Sequence, residues 1–213
     1  MQGRFKSVSL DKNRWHVALR VALNFTVETK MDSLQGHFLI ATPQMPDPRF
    51  RGMVLYMCVY THEGAMGIII NQPTTEITMA DIFRQAEIPV PSGKLPPVRM
   101  GGPVELDSAF FLYSSDYISR HYLVVSDTVH LSRDPGILHD IALGKGPKDY
   151  IFTVGYSGWA PGQLENELKV HGWLTAPADM EILFRTPDEH KWKAAIKKLG
   201  IDISLFGDQV GFA

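Results

Sequence analysis

The sequence predicts an α+β domain with a mixed, largely antiparallel sheet and peripheral helices, and three observations carry that prediction. Strand-like and helix-like segments interleave at short spacing from Met31 onward without alternating strictly, and the strands are not uniformly apolar as a wholly parallel sheet would require. Two strand-like runs are joined by Thr61-His62-Glu63-Gly64-Ala65, a glycine-containing turn of hairpin length. Near its end the chain carries Trp192, Ile196 and Leu199 at helical spacing, with start and stop signals on either side.

Taken in order, Gly36 to Thr42, Gly52 to Tyr60 and Met66 to Ile70 read as strands, the last two pairing antiparallel. Thr78 can cap a helix whose Met79, Ile82, Phe83 and Ala86 share one face. Pro89 to Pro97 is a proline-rich connection and the best candidate for a subdomain boundary. Ala109 to Tyr113, Tyr122 to Ser126 and Tyr150 to Gly155 read as further strands, with a helix from Asp134 to Leu143 stopped by Gly144. Pro161 at a first helical position opens a helix over Gln163 to Val170 that turns Leu164 and Leu168 inward and stops at Gly172. Met180 to Phe184 reads as a late strand. Thr186-Pro187-Asp188-Glu189 reads as a capping box opening the last helix, which ends at Gly200.

Composition bounds the function. The 213 residues are 45% hydrophobic and 21% charged, which suits an ordinary globular protein and excludes a fibre or a disordered tract as the main body. Lys+Arg 21 against Asp+Glu 23 gives a net charge of −2, which disfavours the cation-rich surface that phosphate backbones require. Direct DNA binding is therefore disfavoured. The lone cysteine, Cys58, excludes an intrachain disulfide and reads as a small buried hydrophobe within Met53 to Tyr60. That run, the longest all-apolar one, falls far short of the roughly 20 residues of a membrane-spanning helix. The expectation is a soluble, cytoplasmic protein with no membrane association.

The first thirty residues carry six cations against two acids, a net +4 that leaves −6 for residues 31 to 213. Val17, Leu19, Val21, Leu23, Phe25 and Val27 alternate there with smaller or polar residues, the period of a half-buried strand. No signal peptide is evident, because Arg20 interrupts the apolar stretch. The leader reads either as an organelle transit segment or as an extension upstream of a start at Met31, and the extension is favoured. Residues 31 to 213 then form a single domain.

Catalytic motifs are mostly missing. Neither a G-x-x-x-x-G-K-[ST] phosphate loop nor a G-x-G-x-x-G occurs. Gly155-Tyr156-Ser157-Gly158-Trp159 lies between a strand and a helix but has Trp159 where a nucleophile elbow needs glycine, so it reads as a tight turn packed by Trp159. His121, His130 and His139 are nine apart, a spacing that fits no metal site on one element, and no metal or cofactor is expected. Glu165 and Glu167, two apart on a helix, point in different directions and read as a solvated face rather than an acid/base pair. Gly101-Gly102-Pro103 permits either an anion-binding nest of backbone amides or a close chain crossing. Asn71-Gln72-Pro73 stops a strand and can present amides beside it.

Several segments together carry a resemblance. Gly36-His37-Phe38-Leu39-Ile40-Ala41-Thr42-Pro43, Gly64-Ala65-Met66-Gly67 through Asn71-Gln72-Pro73, Gly101-Gly102-Pro103-Val104, Gly155 to Trp159 with Gly162-Gln163-Leu164-Glu165, and Leu199-Gly200-Ile201-Asp202 resemble the AlgH/YqgE family of bacterial proteins, in order from about Met31 to Ala213. The resemblance implies a branched sheet curled into an incomplete barrel with flanking helices. It implies a cytoplasmic location and the label of transcriptional regulator, but no catalytic or ligand residues to carry over. Ser157 stands where many members have alanine and Phe212 where the tail commonly has histidine, which weakens a catalytic role for either position.

The functional expectation is a nonenzymatic regulatory or binding protein acting through a protein partner that the sequence does not identify. Its candidate surface comprises Asn71, Gly101, Gly102, Ser157, Trp159, Gln163 and Glu165. The alternative is a small-anion-binding protein or enzyme using the glycine-rich turns.

Overall fold

The computed structural model describes residues 33 to 201. The basic leader with its alternating segment, and the tail from residue 202 with Phe212, lie outside the described residues. Nine strands form one sheet: β1 His37–Ala41, β2 Val54–Thr61, β3 Gly64–Ile69, β4 Val98–Met100, β5 Val104–Ser114, β6 Leu123–Ser126, β7 Val129–Ser132, β8 Tyr150–Trp159 and β9 Trp173–Pro177. The order is β6-β7-β5-β8-β3-β2-β1-β9 with antiparallel neighbours throughout, and β4 joins β8 in parallel. The sheet curls into a half-barrel, as the resemblance implies, around Phe38, Ile40, Tyr56, Ile68, Phe110 and Leu112.

The central strands bury both faces. β5 turns Phe110 and Leu112 into the barrel and Phe111 and Tyr113 outward, where α1 (Met79–Gln85) and α2 (Gly136–Ala142) cover them. β1 and β2 likewise turn Leu39, Leu55 and Met57 out beneath a loop at residues 45–50 and α3 (Gln163–Lys169). Cys58 lies on the barrel side, fully buried, and burial pushes its thiol well above the usual range, which leaves it a packing residue. Thr78 caps α1 as the sequence implied, accepting from Asp81 N at 3.2 Å while Asp81 accepts from Thr78 N at 3.0 Å. The stretch at 89–97 joins α1 to β4, and Phe83 and Val98 on either side of it share one apolar cluster.

Four local expectations are corrected. Met180 to Phe184 is not a strand: Glu181–Arg185 forms one turn of π-helix, begun by Asp179, whose Oδ1 accepts from Ile182 N at 2.9 Å. A short apolar run carries no periodicity that separates strand from helix, and here both Ile182 and Leu183 face the barrel. Thr186 does not cap the last helix, α4 (Asp188–Lys198), because its hydroxyl bonds Glu181 O at 3.1 Å instead. Pro161 precedes rather than opens α3, whose N-cap is Gly162 at φ +75. Gly155 to Trp159 is no turn; β8 runs through it, with Gly155 at φ +73 opposite the register shift in β5 between Val104 and Ala109. Strands β4, β7 and β9 were not anticipated.

The half-barrel closes in two ways. Across its seam, Gln35 Nε2 donates to Val125 O at 3.1 Å and Tyr56 Oη donates to Ser126 Oγ at 3.3 Å, so side chains rather than a ladder join β6 to the β1–β2 side. Its open side is plugged by α4, which inserts Trp192, Ala195 and Ile196 and donates from Trp192 Nε1 to Ala41 O at 2.8 Å. Beside it lies a buried charge cluster. Asp188 accepts from Arg99 Nε at 3.0 Å and from Lys191 Nζ at 3.0 Å, and Lys191 also donates to Ile70 O at 2.9 Å. One anion thus ties β4, α4 and the end of β3 together through two cations.

Removing that anion would leave two buried cations facing each other, so Asp188→Asn is expected to cost about 3–5 kcal/mol by denaturant titration. Burial, with the charge of Arg99 second, pushes the Lys191 ammonium down to about 8 despite Asp188. The folded value lies below the unfolded one of about 10.4. Between these values the unfolded chain holds a proton that the folded chain has released, so stability should rise with pH through that window and be lost again on acidification. Lys191→Met should lack the rise, read as the difference between wild type and variant across pH 7 to 10.

Candidate functional site

α3 and the ends of β8 and β9 frame a cleft of about 250 Å³ with the 45–50 loop. Its floor is aromatic. Trp159, from the last residue of β8, and Trp173, from the first of β9, meet edge to face with ring centroids 6.3 Å apart, and Phe50 meets Trp173 at 5.4 Å. An indole N–H needs an acceptor when buried, and one carboxylate serves both rings: Glu167 Oε2 accepts from Trp159 Nε1 and from Trp173 Nε1, each at 2.9 Å. Gln163 holds the other oxygen, donating from Nε2 to Glu167 Oε1 at 3.0 Å one helical turn away. The Gln163 Oε1 atom meanwhile accepts from Ala160 N at 3.1 Å. The Ala160 turn, helix and both tryptophans are thereby one hydrogen-bonded unit.

The rim is polar but internally committed. Asp47 starts a short 3-10 turn, Pro48–Phe50, by accepting from Arg49 N at 3.0 Å, and its carboxylate pairs with the Arg49 guanidinium at 2.6 Å. That hydrogen bond from Arg49 holds the Asp47 carboxyl below its usual range. The Arg49 guanidinium also lies 5.8 Å from the centroid of the Phe50 ring.

Of the seven residues singled out by sequence, Ser157, Trp159 and Gln163 line this cleft together, with Pro103 beside them. The other four are not in its lining. Asn71 is turned inward as a clamp: Oδ1 accepts from Val54 N at 2.8 Å and Nδ2 donates to Gly52 O at 2.9 Å. Gly101 and Gly102 are buried at a chain crossing, where a Cβ on Gly101 would stand 2.3 Å from Gly155 O and one on Gly102, at φ +150, 2.2 Å from the Tyr156 carbonyl carbon. Of the two readings of this pair, close approach describes the geometry, since the Gly101 amide already donates to Val154 O at 2.8 Å. Ser157 is 2% exposed, with its hydroxyl 3.5 Å from Gly101 O. Glu165 turns toward Tyr60, whose hydroxyl is pushed up to about 12 by burial and then by that carboxylate.

Glu167 is the correction with most consequence. It is no solvated face but the acceptor for two buried indoles. Trp159 and Trp173 each require such a partner, and that requirement was a usable signal in the sequence. Phe50 and the Asp47–Arg49 pair carried no comparable signal. Among the described residues, no group of three His, Cys, Asp or Glu is placed to hold a metal, and no helix is long and apolar enough to cross a membrane. His130 packs between Tyr113 and Tyr122, with centroids 5.7 and 4.6 Å away.

Truncating the shared acceptor would leave two indole N–H groups without partners. Glu167→Ala is therefore expected to cost about 2–4 kcal/mol of stability and to change the tryptophan emission of the folded protein, measured by denaturant titration and fluorescence.

Residues 38–204 match a protein-family model described as AlgH-like. A UPF0301 protein of Desulfotalea psychrophila is 42% identical over 182 residues, covering 85% of this chain and 96% of that protein. A UPF0301 protein of Rhodospirillum rubrum is 45% identical over 181 residues, covering 84% and 94%. The solution structure of the AlgH protein from Pseudomonas aeruginosa superposes with a TM-score of 0.71 at 36% identity, over 88% of this chain and 100% of that one. A crystal structure from Corynebacterium diphtheriae, at 16% identity and a TM-score of 0.64, shares the fold alone. By sequence and by fold, the chain belongs to the AlgH-like family.

Proposed function

We propose that this chain is a nonenzymatic binding protein that works by contact with another protein, taking an apolar side chain of its partner into the Trp159–Trp173 cleft. The observation that carries the reading is the pair of indoles locked by Glu167 before any partner arrives. A preformed aromatic floor with a polar rim is the anatomy of an interface anchor pocket. Its volume of about 250 Å³ lies just below the range of small-molecule sites and suits a single bulky side chain. The polar groups around it are engaged with one another: Asp47 with Arg49, Glu167 with the indoles, Ser157 with Gly101. None stands as a nucleophile beside a base, which favours recognition over chemistry.

In its finer form the reading is of a cytoplasmic regulator, of transcription among other processes, that acts through its partner rather than by reading DNA; the net charge of −2 supports that direction. The test replaces Phe50 by Ala and Val170, 69% exposed at the cleft, by Asp. The double variant should stay folded and lose partners retained by the wild type on affinity capture, with purified partners bound about tenfold more weakly or worse. Retention of the same proteins at the same strength would rule the cleft out.

A further inference from the structure

We propose that the partner segment is an extended peptide backbone that adds to the end of β8 at Gly158 while one of its bulky uncharged side chains fills the cleft. This rests on the cleft reading above and names the form of the occupant.

The argument comes from the alternation of the antiparallel ladder. Thr61 and Gly64 face each other across a two-residue turn, so that pair exchanges hydrogen bonds and the N–H and C=O of the next residue, Ala65, point the other way, toward β8. Ala65 pairs with Trp159 and Met66 with Gly158. Trp159 is therefore hydrogen-bonded to β3, and the N–H and C=O of Gly158 point away from it. The contact of 2.4 Å that a Cβ on Gly64 would make with Trp159 O agrees with this orientation.

On its other side β8 meets β5 as far as Val104, opposite Tyr156. Continuing that register would set Gly102 opposite Gly158, but Gly102 instead crosses the Tyr156–Ser157 peptide, where a Cβ on it would stand 2.4 Å from Ser157 N, so the β5 ladder stops one hydrogen-bonded pair short of Gly158. Gly158 is exposed and lines the cleft, and it thus presents one donor and one acceptor at an open strand edge beside the aromatic floor. An extended backbone supplies the complementary pair at this spacing, with main-chain bonds giving affinity and the side-chain pocket giving specificity. The rim favours an uncharged segment, because Arg49 and Asp47 neutralise each other there and Glu167 is already engaged by both indoles.

The test uses the full chain, 15N-labelled, with a capped heptapeptide of alternating threonine and valine around a central tryptophan. Analogues N-methylated at each of the three central residues in turn, and N-acetyltryptophanamide, serve as controls. The peptide should shift the Gly158 amide resonance and slow its exchange. At least one N-methyl analogue should bind about two- to tenfold more weakly, as should the Gly158→Pro variant, once its spectrum shows it folded. If the peptide moves the Trp159 and Trp173 indole signals but leaves Gly158 unmoved and all analogues bind alike, this proposal fails and the cleft reading stands. The same holds if N-acetyltryptophanamide binds and the peptide does not, or if Gly158 shifts with protein concentration alone, which assigns the edge to a second copy. If no probe moves either indole, both readings fail.

Discussion

The architecture depends on how closely two stretches of backbone can cross. β4 runs parallel to the first half of β8, and Gly101 continues that contact through its amide to Val154 O while its own carbonyl accepts from Ile69 N at 2.9 Å. The sheet therefore forks: β8 is flanked by β4 along one half and by β3 along the other. At the fork the chain must turn across β8 within a distance that any Cβ at Gly101 or Gly102 would block, which is why two glycines stand there. The crossing delivers Pro103 to the cleft and ends the β5 ladder where it does. The candidate site is thus a by-product of the branch point.

Much of the fold was legible because turn and cap chemistry is local. The β2–β3 hairpin, the Thr78 cap of α1 and the stop of the last helix at Gly200, φ +71, all rest on residues within a few positions of one another. What stayed hidden has two causes, burial on both faces and shortness. A sheet covered on both faces loses the alternation that marks a strand, so Val54 to Val59 reads as a solid apolar run although Tyr56 and Cys58 face the barrel while Leu55 and Met57 face outward. β4, only three residues long, and β9, beginning at Trp173, offer too little pattern to read. The π-turn at Glu181–Arg185 reads as a strand because Ile182 and Leu183 show burial without period.

The site was half legible. Trp159 and Gln163 are legible because glycine and proline mark the stretch around them, whereas Glu165 and Glu167, two apart on a helix, read together as a solvated face. The two do diverge, and it is the divergence that sends one toward Tyr60 and the other under the indoles. Trp173 comes from β9 and Phe50 from the loop before β2, positions that only the sheet order brings together. Asn71, by contrast, looked available from its place at a strand end and is wholly occupied in holding Gly52 and Val54. An amide side chain beside a strand end has backbone to satisfy before it has a ligand to meet.

The seam between β6 and the β1–β2 side has a mechanical corollary. Every other junction along the curled sheet is a ladder whose rungs break together, whereas this one is fastened by the Gln35 carboxamide and the Tyr56–Ser126 hydroxyl pair. Fasteners of that kind release singly and reseat without register error. The β6–β7 hairpin is thus held by a ladder to β5 on one side and by side-chain hydrogen bonds to the β1–β2 side on the other, with Val125 and Leu131 sealing the interior behind it.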